Sequence, residues 1–186
     1  MRTNRDVVNF NRESAQAAEP LLRAALALDP DYALAKAELA RSLCYRATNL
    51  FSKDPAKDIA EAYVLGNQAL QKAPDDPLIL FAVGSCYWYT GRPEEAIRLL
   101  EKAVNKQPNF AQALAALGTT LAVDGQAGIG LPKLEVALQL SPQAPHRYMN
   151  ESFRMMALNE LGRYAEAEQA SQAALQSYDG WYWTWI

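Results

Sequence analysis

Few side chains in this sequence have the types and spacing that chemistry demands. The one histidine, His146, sits in SPQAPHR with no Cys, Asp or Glu beside it to complete a metal site or a catalytic relay. Cys44 and Cys86 are too few for a disulfide framework and lack metal-ligand spacing. On helices such thiols serve as small hydrophobes, Cys44 here expected on a groove-facing side and Cys86 partly packed. GQAGIG (125–130) has the glycines of a phosphate loop but not its context, which is a preceding strand and a Lys directly after the last glycine; Leu131 and Pro132 follow instead. It reads as a loose turn leading into a frayed helix, with Gly130 costing about 1 kcal/mol relative to Ala. Glu151, Glu160, Glu166 and Glu168 read as solvated helix surface. No nucleophile–base pair or metal cluster emerges, so the expectation is a non-enzymatic protein with no catalytic, metal or cofactor-binding residues.

Composition narrows the field further. Of 186 residues, 50% are hydrophobic and 21% charged, which is too apolar for a disordered chain. The formal charge is −3 with no run of Lys or Arg, so a nucleic-acid surface is not expected. No apolar stretch reaches the roughly 18 residues of a membrane span, and MRTNRDVVNFNRES at the start lacks a signal-peptide core. The expected setting is cytoplasmic and reducing.

The elements that position these residues announce themselves by repetition. Pro74, Pro108 and Pro142 are spaced 34 residues apart, and the same offset links Gly84 to Gly118, Gly91 to Gly125 and Ala103 to Ala137. Each unit reads as two helices. Residues 78–90 form an apolar helix closed by Gly91, which can take the left-handed conformation. Pro93 then opens a second helix, where its missing N–H costs nothing, with Glu94 and Glu95 favourable to the helix dipole. Ala96, Ile97, Leu100, Ala103 and Val104 give that helix one buried stripe. Nothing alternates with the period of a strand, so the fold class is all-α.

The spacing resembles the tetratricopeptide repeat, a 34-residue helix–turn–helix unit. The residues that carry the resemblance are Val83-Gly84, Tyr87, Gly91, Ala96, Leu100, Ala103 and Pro108. In the next unit they are Leu117-Gly118, Leu121, Gly125, Gly130, Leu134, Ala137 and Pro142. The resemblance implies a right-handed α-solenoid of helix pairs that binds other proteins. It divides the single array 1–186 into a partial unit 1–32, then 33–76, 77–110, 111–144, 148–180, and the start of a further helix at 181–186. Pro30 to Pro74 spans 44 residues, so the second unit carries about ten extra, expected between its helices around residues 47–58. In the last unit, Arg154 and Met155 stand where a leucine and a small residue are expected.

The resemblance also implies where a partner binds. One stripe of each first helix meets its own second helix, and another, at i, i+3, i+7, i+10 and i+11, lines a concave groove. On 78–90 that stripe is Leu78, Phe81, Ser85, Trp88 and Tyr89. It is Leu34, Ala37, Arg41, Cys44 and Tyr45 in the preceding unit, and Gln112, Ala115, Thr119, Ala122 and Val123 in the following one. The expected groove residues are therefore Arg41, Tyr45, Phe81, Ser85, Trp88, Tyr89 and Thr119. They bind a peptide or helix of a partner protein, or the aromatics simply pack on the neighbouring helix; both readings stand at this point. Family members that grip chaperone tails use a Lys, Asn and Arg cluster. Ala37, Arg41, Ala82, Gln112 and Ala116 occupy those places here, so that ligand is not expected.

The tail WYWTWI contradicts the polar outer face that a terminal repeat needs. Either the array continues in a longer protein, or Trp181, Trp183 and Trp185 dock somewhere, for instance in a homo-oligomer. The stretch ALALDPDYALAKAELARSL, the long loop, and LSPQAP followed by NELGRYAEA are also similar to repeat modules of bacterial cyclase-type and winged-helix regulatory proteins. That similarity implies an alternative role as an oligomerisation or intramolecular regulatory segment, and brings no active site.

Overall fold

A computed structural model describes residues 12–144 and 146–177; the expectations for residues 1–11 and for the tryptophans of the tail lie outside them. The described residues form helices and no strand: α1 (Arg12–Leu28), α2 (Ala33–Thr48), α3 (Pro55–Lys72), α4 (Pro77–Tyr89), α5 (Pro93–Lys106), α6 (Ala111–Val123), α7 (Ala127–Leu140), α8 (Arg147–Glu160) and α9 (Tyr164–Gln176). The chain divides into two compact units, residues 1–108 and 109–186, each made of paired solenoid helices.

Helix boundaries follow the punctuation of the sequence. Pro77 opens α4 behind Asp76, whose carboxylate accepts from the Leu78 N–H at 2.8 Å and the Ile79 N–H at 3.3 Å. Gly91 has φ +71, Gly125 +77 and Gly162 +72, and each closes a helix. After Gly91, the Arg92 N–H returns to the Tyr87 carbonyl at 2.9 Å, a Schellman closure. Helix α2 closes the same way, with the Phe51 N–H on the Arg46 carbonyl at 3.0 Å, but the left-handed position is filled by Leu50 at φ +61.

In the first unit α1 packs on α2, α2 on α3, α4 on α5, and α2 against α4. The ten extra residues do not form only an inter-helix insertion. Compared with α4 and α5, α2 is three residues longer and α3 four longer, and the connection 49–54 has three more than 90–92. Arg46 near the end of α2 holds the start of α3 with a bidentate pair to Asp58 at 2.8 and 2.9 Å, and also bonds Glu19 of α1. Arg23 of α1 reaches Glu61 at 2.8 Å, so charged side chains tie three helices together.

In the second unit α6 packs on α7, α8 on α9, and α8 against both α6 and α7. GQAGIG is neither loose nor frayed. Gly125 is the closing residue of α6, and α7 begins at Ala127 with Gly130 in its first turns. A Cβ on Gly130 would lie 2.5 Å from the Gly118 carbonyl oxygen, so the two glycines let the α6 and α7 backbones touch. That contact, which propensity alone does not reveal, explains glycine where Ala is usual.

The last pair keeps register by exchange. Gly162 takes the place of Gly125, which aligns Leu158 with Leu121, Met155 with Gly118, Arg154 with Leu117 and Glu151 with Leu114. Gly118 accommodates Leu134, whose Cγ lies 2.8 Å from the position of its missing Cβ. In α8–α9 the sizes swap: Met155 is large, Ser171 replaces the leucine, and Met155 packs on the cluster containing Ala167 and Ala170. Glu151 is not solvated surface but 2% exposed, because it occupies a core leucine position. Arg147 at 2.9 Å and Arg154 at 3.4 Å neutralise it, and Arg154 also lies 3.6 Å from Glu135.

Candidate functional site

Helices α2 and α4 lie side by side and bring six of the seven expected groove residues into the first unit. Arg41 stands with its guanidinium carbon 5.7 Å from the Phe81 ring centroid. Its charge is met locally, with Nη2 and Nε donating to the Glu38 carboxylate at 2.6 and 3.0 Å. Tyr45 meets Tyr89 edge-on with centroids 5.5 Å apart, and meets Phe51 at 6.3 Å. Burial raises the Tyr89 hydroxyl to a pKa of about 12 despite the opposing pull of Arg41, so the ring stays neutral at physiological pH.

The members differ in access. Tyr45, Phe81 and Ser85 are buried, and the Ser85 hydroxyl donates to the Phe81 carbonyl at 2.8 Å within its own helix. Arg41, Trp88 and Tyr89 are half-buried and form the accessible edge. Thr119, on α6 in the second unit, is buried. Cys44 and Cys86 are both fully packed in one cluster with Leu39 and Leu43. Burial, with the Cys44 thiol hydrogen-bonded to it, pushes the Cys86 thiol up, away from the reactive thiolate form.

Two features were not anticipated. Glu38 lies one turn from Arg41, and the i,i+3 spacing of opposite charges was the available signal. The other is a stack of Tyr63 on Tyr87, centroids 5.5 Å apart, with the Arg92 guanidinium carbon 5.1 Å from the Tyr87 centroid. The Tyr63 hydroxyl donates to Thr90 Oγ1 at 2.7 Å. Only the tertiary fold reveals that pairing, since Tyr63 lies outside the regular 34-residue units.

Among the described residues no group of three or more His, Cys, Asp or Glu side chains is arranged to hold a metal ion, and no helix is long and apolar enough to cross a membrane. A family model described as tetratricopeptide repeat matches residues 56–119. That stretch, from α3 into α6, carries the tetratricopeptide repeat. The chain's solenoid is similar to crystal structures of MamA, one at 14% identity and TM-score 0.61, covering 95% of this chain and 96% of that one. MamA of AMB-1 matches at 18% identity and TM-score 0.63 over 94% and 95% of the two chains. MamA of MSR-1 matches at 19% and 0.57 over 84% and 97%. These likenesses concern the fold. No curated protein sequence matches the chain.

Proposed function

We propose that this tetratricopeptide-repeat protein is a non-enzymatic scaffold that binds a peptide or helix of another protein on the α2–α4 face. The observation that carries the reading is the half-buried edge of Arg41, Trp88 and Tyr89 above a packed layer of Tyr45 and Phe81. Trp, Tyr and Arg are the side chains that dominate interface energies, and rings held by neighbours lose little entropy on binding. Because Glu38 already neutralises Arg41, the reading gives that arginine a flat stacking surface rather than an unmatched positive charge. Tyr45, Phe81 and Ser85 support the edge from beneath. Affinity capture from a cell lysate with the native chain and with Trp88→Ala tests the proposal. A partner retained by the native chain and lost by the folded variant supports it; equal capture by both removes it.

A further inference from the structure

Helix α1 is held differently from the others. None of its side chains over residues 17–28 is buried, whereas α2 to α9 each bury residues of their own. It packs on α2 and on no other helix among the described residues. Leu22 and Leu26 lie half-buried on the cluster that holds Leu39, Leu43 and Ala62, while Leu21 and Leu28 are exposed. Pro20 stands inside α1 and supplies no N–H to the carbonyl one turn back, which weakens the helix on its own. What fixes its place is charge. Glu19 accepts from Arg46 of α2, and Arg23 donates to both Glu61 oxygens of α3 at 2.8 and 3.2 Å. Arg23 also donates to Glu19 at 2.8 Å. One turn of α1 therefore presents an acid to a base and a base to an acid, which sets both its direction and its register.

Removing α1 would not dismantle what lies beneath it. Arg46 keeps its bidentate pair with Asp58, and α2 stays packed on α3 and α4. Each unit of a repeat array depends on its nearest neighbours, so an end helix separates at the smallest cost. We propose that α1 is an exchangeable strap: it leaves α2 and α3 as a unit, and the seat it vacates takes the α1 of a second copy. The occupant follows from the seat. The apolar cluster receives two leucines four residues apart, and Arg46 and Glu61 receive an acid and a base four residues apart; Glu19, Leu22, Arg23 and Leu26 supply that order. Every copy carries this helix. The tether of residues 29–32 gives the chain's own α1 precedence until its ion pairs weaken.

Hydrogen exchange of the full native chain tests the opening. Amides of α1 should exchange faster than those of α2 to α5. Salt at about 1 M, where charges are screened within about 3 Å, should speed them about tenfold and leave α4 unchanged. A labelled synthetic peptide of residues 12–28 tests the seat. In the full chain carrying Glu19→Lys/Arg23→Glu, the resident α1 meets like charges, so the peptide should bind that chain about tenfold more tightly than the native one. The peptide with the same two substitutions should bind neither. If the double variant does not fold, Leu22→Ala/Leu26→Ala loosens the resident α1 through its apolar contacts and serves in the same titration. Exchange of α1 in step with α2 to α5 would overturn the proposal, as would a peptide that binds the native and loosened chains alike or binds neither.

Discussion

Gly118 and Gly130 face each other so closely that the Cβ missing from Gly130 would stand 2.5 Å from the Gly118 carbonyl oxygen and 2.9 Å from the Ala122 nitrogen. Both neighbours are backbone and cannot rotate away. Helix propensity favours Ala over Gly by about 1 kcal/mol, so Gly130→Ala looks like a gain. Overpacking costs about 1–3 kcal/mol and must win here. The variant should unfold at lower urea concentration than the native chain; a higher midpoint would show that α6 and α7 can separate at no cost.

Leu50 presents the opposite case. It is 90% exposed and has φ +61, in the place that glycine fills after α4, α6 and α8. A left-handed conformation costs a residue with a Cβ about 1–2 kcal/mol, partly offset by the greater entropy of an unfolded glycine. Leu50→Gly should therefore raise the urea midpoint, by about 0.5–1 kcal/mol of stability. A loss would mean that the leucine side chain contributes packing that its exposure hides.

Asp58 gives the first unit a pH dependence. Burial by itself would raise its pKa, but hydrogen bonds from Arg46 and Ser52 outweigh that and hold the carboxyl below its ordinary value. A depressed folded pKa means stability that is complete above the unfolded pKa of about 3.9 and is lost as the pH falls through the folded value. Asp58→Asn should destabilise the chain by about 2 kcal/mol at neutral pH and flatten this part of the acid limb. Parallel acid limbs for the two proteins would remove Asp58 as its source.

The core ion pair of α8 is separable from the fold it sits in. Glu151→Ala leaves Arg147 and Arg154 facing an empty site and should cost about 3 kcal/mol. Glu151→Leu/Arg154→Leu restores the residue types of Leu114 and Leu117 in α6, and should be neutral or stabilising. If the double variant is as damaged as the single one, the alignment of α8 on α6 through Gly162 is wrong.

Much of the architecture was legible because repeat punctuation is local chemistry. Pro77, Pro93, Gly91 and Gly125 each do at one position what their backbone constraints dictate, so helix limits and closures could be read from residue types. What escaped was reciprocal. Gly130 looked like a weakness until its facing partner Gly118 was known, and Glu151 looked solvated because its arginines and its leucine-like position appear only once Gly162 fixes the register. The α2–α4 face was legible as a set of residues, by the spacing of one helical stripe. Their access was not, since whether Tyr45 and Phe81 stay open depends on Tyr89, Phe51 and Arg41 packing onto them.

The central claim is that a partner grips the half-buried edge of Trp88, Tyr89 and Arg41. The most direct test is a calorimetric titration of a captured partner segment into the native chain, into Trp88→Ala, and into Lys102→Ala on the far side of the repeat, all confirmed folded by circular dichroism. The account predicts that Trp88→Ala loses about 2 kcal/mol of binding, roughly thirtyfold in Kd, and that Lys102→Ala binds as the native chain does. Equal affinity for the native chain and Trp88→Ala would contradict it.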